Sequence, residues 1–265
     1  MPRSVTVTYR VLATPAATAR AAAQFFLEAA VKAVTARGVA RIAISGGSTP
    51  KSMFGLLADP AGPFLKQVPW DKIDLYWVDE RCVPPDNIES NYRMTREAML
   101  SKVPLPAGRV HRMEGELEPE VAAARYESII RNSFRLEGAE TPTFDLILLG
   151  MGDDGHTASL FPHTDALNEM GHIVVPNHVP QKDAWRITLT WPVINQGREV
   201  AFLIEGEEKT QVLHDVLLGP YQPDTYPSQL IRPASGQLTL LLDTAAAAKL
   251  PAPADSDSTG TLELK

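Results

Sequence analysis

The spacing of apolar positions changes along the chain, and each change marks an element. Residues 5–12 are rich in β-branched side chains and predict a first strand. Thr14 offers a cap with Pro15 at the first helical position. The alanine-rich helix that follows runs to about Arg37 and stops at Gly38, where a left-handed residue ends a helix. Its Phe25, Phe26, Ala29, Ala30, Ala33 and Val34 recur at helical spacing. Residues 41–44 read as a short buried strand, followed by a helix to about Leu57 in which Thr49 is expected to cap and Pro50 to open the first turn. Further strands are predicted at 73–78, 144–149, 173–175, 186–190, 199–204 and 237–242. Helices are predicted at 91–100, 118–134 and 207–217, and Asp243 is expected to cap a short alanine-rich helix. Strands alternating with helices predict an α/β fold: a mostly parallel, doubly wound sheet with helices on both faces, residues 1–250 forming one domain. Residues 251–265, rich in Pro, Ser, Thr and Asp, read as a disordered tail.

Composition narrows what this fold does. The formal net charge of -7 argues against a general nucleic-acid surface, so an anionic ligand requires positive groups gathered locally. Cys82 is the single cysteine, which excludes an internal disulfide and fits a reducing compartment. No apolar run reaches the length of a membrane span, and residues 1–5 lack the start of a secretory signal, so a cytoplasmic protein without membrane partners is expected. His111, His163, His172, His178 and His214 show no metal-ligand spacing, so neither a catalytic metal nor a cofactor is expected.

The most informative stretch is Gly150-Met151-Gly152-Asp153-Asp154-Gly155-His156-Thr157, directly after the apolar residues 144–149. Its glycines formally spell G-x-G-x-x-G, but Asp153 and Asp154 stand where a pyrophosphate needs backbone N–H groups, and Pro162 limits any following helix to about a turn. The other reading pairs His156, a base suited to neutral pH, with Asp154, which fixes its tautomer. A second signal is the turn of Gly46, Gly47, Ser48 and Thr49, where glycines admit a close ligand and a helix N-terminus attracts anions. A third is Asp79-Glu80-Arg81, whose charges emerge at a strand end; Arg81 is suited to a carbonyl or an anion. Arg186 opens a strand. Lys209 lies in the first turn of a helix, where a cation is disfavoured unless an anion is near. Each of these also reads as an ordinary cap, ion pair or solvated charge when taken alone.

Taken together and in this order, the motifs resemble those of the 6-phosphogluconolactonase family, within the wider group that contains glucosamine-6-phosphate deaminase. The resemblance spans nearly all of residues 4–250 and rests on Ser45 to Pro50, Asp79-Glu80-Arg81 with Ser90-Asn91-Tyr92, Gly150 to Pro162, Arg186-Ile187-Thr188, Gly206 to Lys209, and Leu242-Asp243 with its alanine run. It implies the modified Rossmann fold of that group and hydrolysis of 6-phospho-D-glucono-1,5-lactone to 6-phospho-D-gluconate in the oxidative pentose phosphate pathway, by a monomer or weak dimer. Carried over by motif, Gly46, Gly47, Ser48, Thr49, Arg186 and Lys209 form the phosphate cradle, and Asp79 joins the substrate-binding set. His156 is the general base, Asp154 its supporting carboxylate, and Arg81 faces the lactone oxyanion. Asp153 departs from the family's usual proline.

Two alternatives stay open. The deaminase branch shares the glycine loop and D-G-H, but reads D-E-Y at 79–81 and carries a glutamate where this chain has Phe161. A non-catalytic sugar-phosphate sensor of similar fold normally carries a DNA-binding segment, for which this acidic chain leaves no room outside the α/β domain.

Overall fold

The computed structural model describes residues 4–235, 237–253 and 258–264. In chain order its strands are β1 (Val5–Leu12), β2 (Ala40–Ile44), β3 (Ile73–Trp77), β4 (Asp79–Arg81), β5 (Val110–His111), β6 (Leu146–Leu149), β7 (Val174–Val179), β8 (Ala184–Leu189), β9 (Glu199–Ile204), β10 (Gln237–Asp243) and β11 (Thr259–Leu264). The α-helices are α1 (Pro15–Arg37), α2 (Ser48–Leu57), α3 (Asn91–Thr95), α4 (Pro119–Phe134), α5 (Trp191–Ile194) and α6 (Thr210–Leu218). Eight strands form the central sheet in the order β11-β1-β10-β9-β6-β2-β3-β5. All its pairings are parallel except β11 on β1.

The sheet is buried on both faces, which explains its nearly continuous apolar strands. Ile42, Ile44, Leu75, Trp77, Leu146 and Leu148 pack with Phe26, Ala30 and Ala33 of α1 and with Met53 and Phe54 of α2. Ala43, Tyr76, Ile147 and Leu149, offset by one residue, pack with Tyr126 and Ile130 of α4 and with Val212 and Leu213 of α6. The predicted boundaries of α1 hold for the stated reasons: Thr14 Oγ1 accepts from Ala17 N at 3.2 Å, and Gly38 closes the helix at φ 76°. No helix among the described residues is long and apolar enough to cross a membrane.

Four expectations are corrected. Residues 173–175 and 186–190 do not join the main sheet: β7 and β8 pair antiparallel with β4 in a separate three-stranded sheet. Only the turn Pro180–Lys182 and Asp183, in the left-handed region at φ 45°, separate β7 from β8, far too short for a parallel crossover. Thr49 does not cap α2. The helix starts two residues earlier, with Gly47 at the cap position and no side-chain cap bond. Asp243 accepts from Ala246 N at 2.8 Å, but the alanine run forms hydrogen-bonded turns rather than a helix. Finally, part of the expected disordered tail is the strand β11, pairing with β1 from Val5↔Leu264 to Arg10↔Thr259; within that tail, 254–257 and 265 lie outside the described residues. The alternation of Leu262 and Leu264 toward the core supplies the burial that composition concealed.

Truncation after residue 253 is expected to remove the burial of Leu264, about 2 kcal/mol, and to lower Tm by about 4–8 °C for a chain of this size, as read by calorimetry. An unchanged Tm would mean that β11 contributes nothing to the core.

Candidate active site

The sheet order decides where the site lies. From β2 the chain continues outward to β3; from β6 it continues the opposite way to β9. The switch point is between β2 and β6, where an open parallel sheet leaves a crevice at its carboxyl end. The loops after β2, β3, β6 and β9 therefore meet, although they lie far apart in sequence. A cleft of about 410 Å³ occupies this place. Gly46, Gly47, Ser48, Thr49, Asp79, Arg81, His156, Arg186 and Lys209 all line it.

At β6 the chain leaves the sheet at Leu149 and turns at once. Gly152 N donates to His156 O at 2.8 Å, closing a tight loop. His156 N donates to Asp154 Oδ1 at 3.0 Å, and the His156 Nδ1–Asp154 Oδ1 separation is 2.5 Å. Asp154 does not line the cleft; it sits behind the histidine. Partial burial alone would raise its carboxyl, but the hydrogen bonds and charge of His156 hold it below the ordinary range. With Nδ1–H donated to Asp154, Nε2 is the free ring nitrogen and bears the lone pair. Phe161 stacks on the imidazole at 3.9 Å between centroids and 19° between planes, so the ring is held from a second side. Gly152 is required here, because a Cβ would overlap the His156 ring. Ala158 on the same loop has φ 48°, an uncommon left-handed conformation for a non-glycine residue.

The loop after β2 presents a helix start with open N–H groups. No side chain caps α2, and Pro50 has no N–H to satisfy. Gly46 passes so close to Asn91 that a Cβ would overlap its carboxamide. Thr49 Oγ1 donates to Glu205 at 3.0 Å.

Beyond β3, Val78 bridges the two sheets: its N–H donates to Ile44 O at 2.9 Å, and its carbonyl accepts from Leu189 N at 2.8 Å. Asp79 is buried, accepting from Ser159 Oγ at 2.7 Å, so it fixes the wall of the cleft. Glu80 turns away and accepts from Arg81 N, Asn91 N, Tyr92 N and Ser90 Oγ, anchoring α3 to β4. Arg81 and Arg186 stand directly opposite each other across β4 and β8. Burial, and then the neighbouring Arg81, hold the Arg186 guanidinium below its ordinary value. Two adjacent cations of this kind are stabilised by a polyanion.

The tertiary structure adds groups that sequence reasoning missed. Lys182, in the hairpin between β7 and β8, lines the cleft. No local motif marks it; only the hairpin brings it in. Arg81, Lys182, Arg186 and Lys209 make no ion pair with a described carboxylate. Four unpaired cations in one cleft of an acidic chain make a site for a strongly anionic ligand. Glu205 and Glu208 also line it. The position of Glu205 at a strand end beside Gly206 was the available signal. Cys82 is not among the lining residues, and burial pushes its thiol up to about 11. Among the described residues no group of three or more His, Cys, Asp or Glu is placed to hold a metal ion.

A family model described as glucosamine-6-phosphate isomerases/6-phosphogluconolactonase matches residues 13–240. A 6-phosphogluconolactonase of Synechocystis sp. is 42% identical over 221 residues, covering 83% of this chain and 88% of its own. The solved 6-phosphogluconolactonase from Trypanosoma cruzi superposes with a TM-score of 0.79 at 31% identity, covering 94% of this chain and 97% of that one. A monomeric glucosamine-6-phosphate deaminase superposes with a TM-score of 0.72 at 18% identity, covering 91% and 98%. That last likeness is one of fold alone, so the fold is common to both chemistries and the choice between them rests on the site.

Proposed function

The chain belongs to the glucosamine-6-phosphate isomerase/6-phosphogluconolactonase family, and we propose that it hydrolyses 6-phospho-D-glucono-1,5-lactone to 6-phospho-D-gluconate. The observation that supports this most is the Asp154–His156 pair opening into a cleft with four unpaired cations. The phosphate rests on the open N–H groups at 46–49 with Arg186 and Lys209. His156 Nε2 takes a proton from water as the water oxygen attacks the lactone carbonyl carbon. Arg81 faces the resulting oxyanion. Collapse breaks the bond from that carbon to the ring oxygen, which receives the proton back from His156; the carboxylic acid then ionises to solvent. Asp79, through Ser159, holds the wall against which the sugar lies.

Phe161 favours this reaction over deamination. An aromatic ring stacked on His156 supplies no acid or base, and ring opening with loss of an amine needs more proton transfers than lactone hydrolysis. The test is acid release from lactone generated in situ, against the spontaneous rate, with glucosamine 6-phosphate as the competing substrate. Turnover of the amino sugar without acceleration of lactone hydrolysis would reverse the choice.

The cradle carries its own prediction. Lys209→Ala and Arg186→Ala are each expected to raise KM about 10–100-fold, the worth of a hydrogen bond to a charged group, with a smaller change in kcat. Equal use of unphosphorylated gluconolactone by the wild type would contradict the cradle.

A further inference from the structure

Glu205 is a carboxylate in a place built for an anion. It follows the last residue of β9 and lines the same cleft as Gly46 to Thr49 and Lys209. Its Oε2 accepts from Thr49 Oγ1 at 3.0 Å. Its Oε1 is buried and has no hydrogen-bond partner among the described residues. An ionised Glu205 would place a carboxylate with one buried, unpartnered oxygen beside the cleft proposed to take a phosphate dianion, with both groups partly withdrawn from water.

The surroundings favour the neutral acid. Burial pushes the Glu205 carboxyl above its ordinary value; the Thr49 hydroxyl on α2 opposes that shift, and Asp243 at the end of β10 adds to it. Asp243 is itself committed, accepting from Gly206 N and Ala246 N. From the turn after β9, Glu208 and Lys209 face the same cleft, one of each sign. A bound phosphate adds two further negative charges and raises the carboxyl again.

Resting on the phosphate cradle described above, we propose that Glu205 binds the substrate phosphate as a carboxylic acid, its carboxyl proton donated in a hydrogen bond to a phosphate oxygen, so that binding takes up a proton from solvent. Glu205 then acts as a proton-linked specificity residue: it accepts a phosphate and penalises the ligand as pH rises. The sign follows from the raised value. Below it the acid is already formed and binding is full; above it each binding event draws in a proton, and affinity falls with pH.

The experiment is calorimetric titration of the full chain with 6-phospho-D-gluconate at pH 8, in two buffers of different ionisation enthalpy. At that pH a phosphate monoester, whose second pKa is about 6, contributes little proton uptake of its own. The wild type is expected to take up a substantial fraction of a proton. Glu205→Gln, whose amide also donates and needs no proton, is expected to abolish that uptake and to bind more tightly than the wild type at this pH, while Glu205→Ala, which has no donor, binds about 10–100-fold more weakly than Glu205→Gln. Equal uptake in wild type and Glu205→Gln overturns the proposal while leaving the cradle standing. So does binding by Glu205→Ala as tight as that of Glu205→Gln, which would make Glu205 simply repulsive. A wild type that binds no sugar phosphate overturns the cradle and this proposal together.

Discussion

Replacing His156 with alanine is expected to lower kcat on freshly generated lactone by about 10²–10⁴-fold, the usual contribution of a positioned general base. That loss corresponds to about 3–5 kcal/mol of transition-state stabilisation. KM should move far less, because the cations of the proposed phosphate cradle come from other elements: Arg186 from β8, and Lys209 from the turn before α6. The ring is held between Asp154 at 2.5 Å and the face of Phe161, so its loss removes a base without touching the sheet. Comparable thermal unfolding of the variant would separate chemistry from folding. Asp154 contributes through orientation. Its depressed carboxyl remains ionised at neutral pH, and its support of the imidazole is lost only as pH falls through that lowered value. A His156→Ala enzyme with kcat within about threefold of the wild type would remove histidine from the mechanism, since the base would then supply far less than the range given above.

The second large effect concerns a residue that does not line the cleft. Glu80 is 2% exposed, and its two carboxylate oxygens accept from three backbone N–H groups and a serine hydroxyl. Glu80→Ala leaves those donors without partners, at about 1–2 kcal/mol for each backbone N–H. A total of about 3–5 kcal/mol is expected, or about 6–20 °C in Tm. Relief of a carboxylate that burial itself disfavours offsets part of this, which sets the lower end of the range. Urea unfolding measures the loss directly. Glu80→Gln should fall between, because an amide oxygen accepts as before while its NH₂ opposes the remaining donors. Both variants should also weaken substrate binding, because Glu80 holds the backbone of Arg81 and the start of α3, which carries Asn91 into the cleft wall. A loss below about 1 kcal/mol, the cost of a single unmade bond, would place the rigidity of this turn elsewhere.

Much of this architecture was legible from local signals. The cap at Thr14 and the stop at Gly38 bounded α1 because both act within one helical turn. Residues 199–204 read as a strand with no error at either end, because Glu205-Gly206 follows and residues 200–204 are apolar on both faces. The β7–β8 hairpin was misread for the opposite reason. A strand's own pattern says that it is buried, not which neighbour it pairs with, and strand ends predicted at 175 and 186 conceal the short turn at 180–183 that forbids a crossover. Thr49 was misplaced because its hydroxyl had two suitors, and the distant Glu205 prevailed over the local cap.

The same division runs through the site. Asp154 and His156 are two residues apart, and glycines at 152 and 155 leave the intervening backbone one compact turn, so the sequence by itself determined this hydrogen-bonded pair. Only the tertiary structure decided what that pair faces. Arg81, Lys182, Arg186 and Lys209 come from the end of β4, the β7–β8 turn, β8 and the turn before α6, and nothing local draws like charges together. They converge because burying both faces of a parallel sheet dictates its strand order, and that order places the switch point, the open N–H groups of α2 and Glu205 around one cleft.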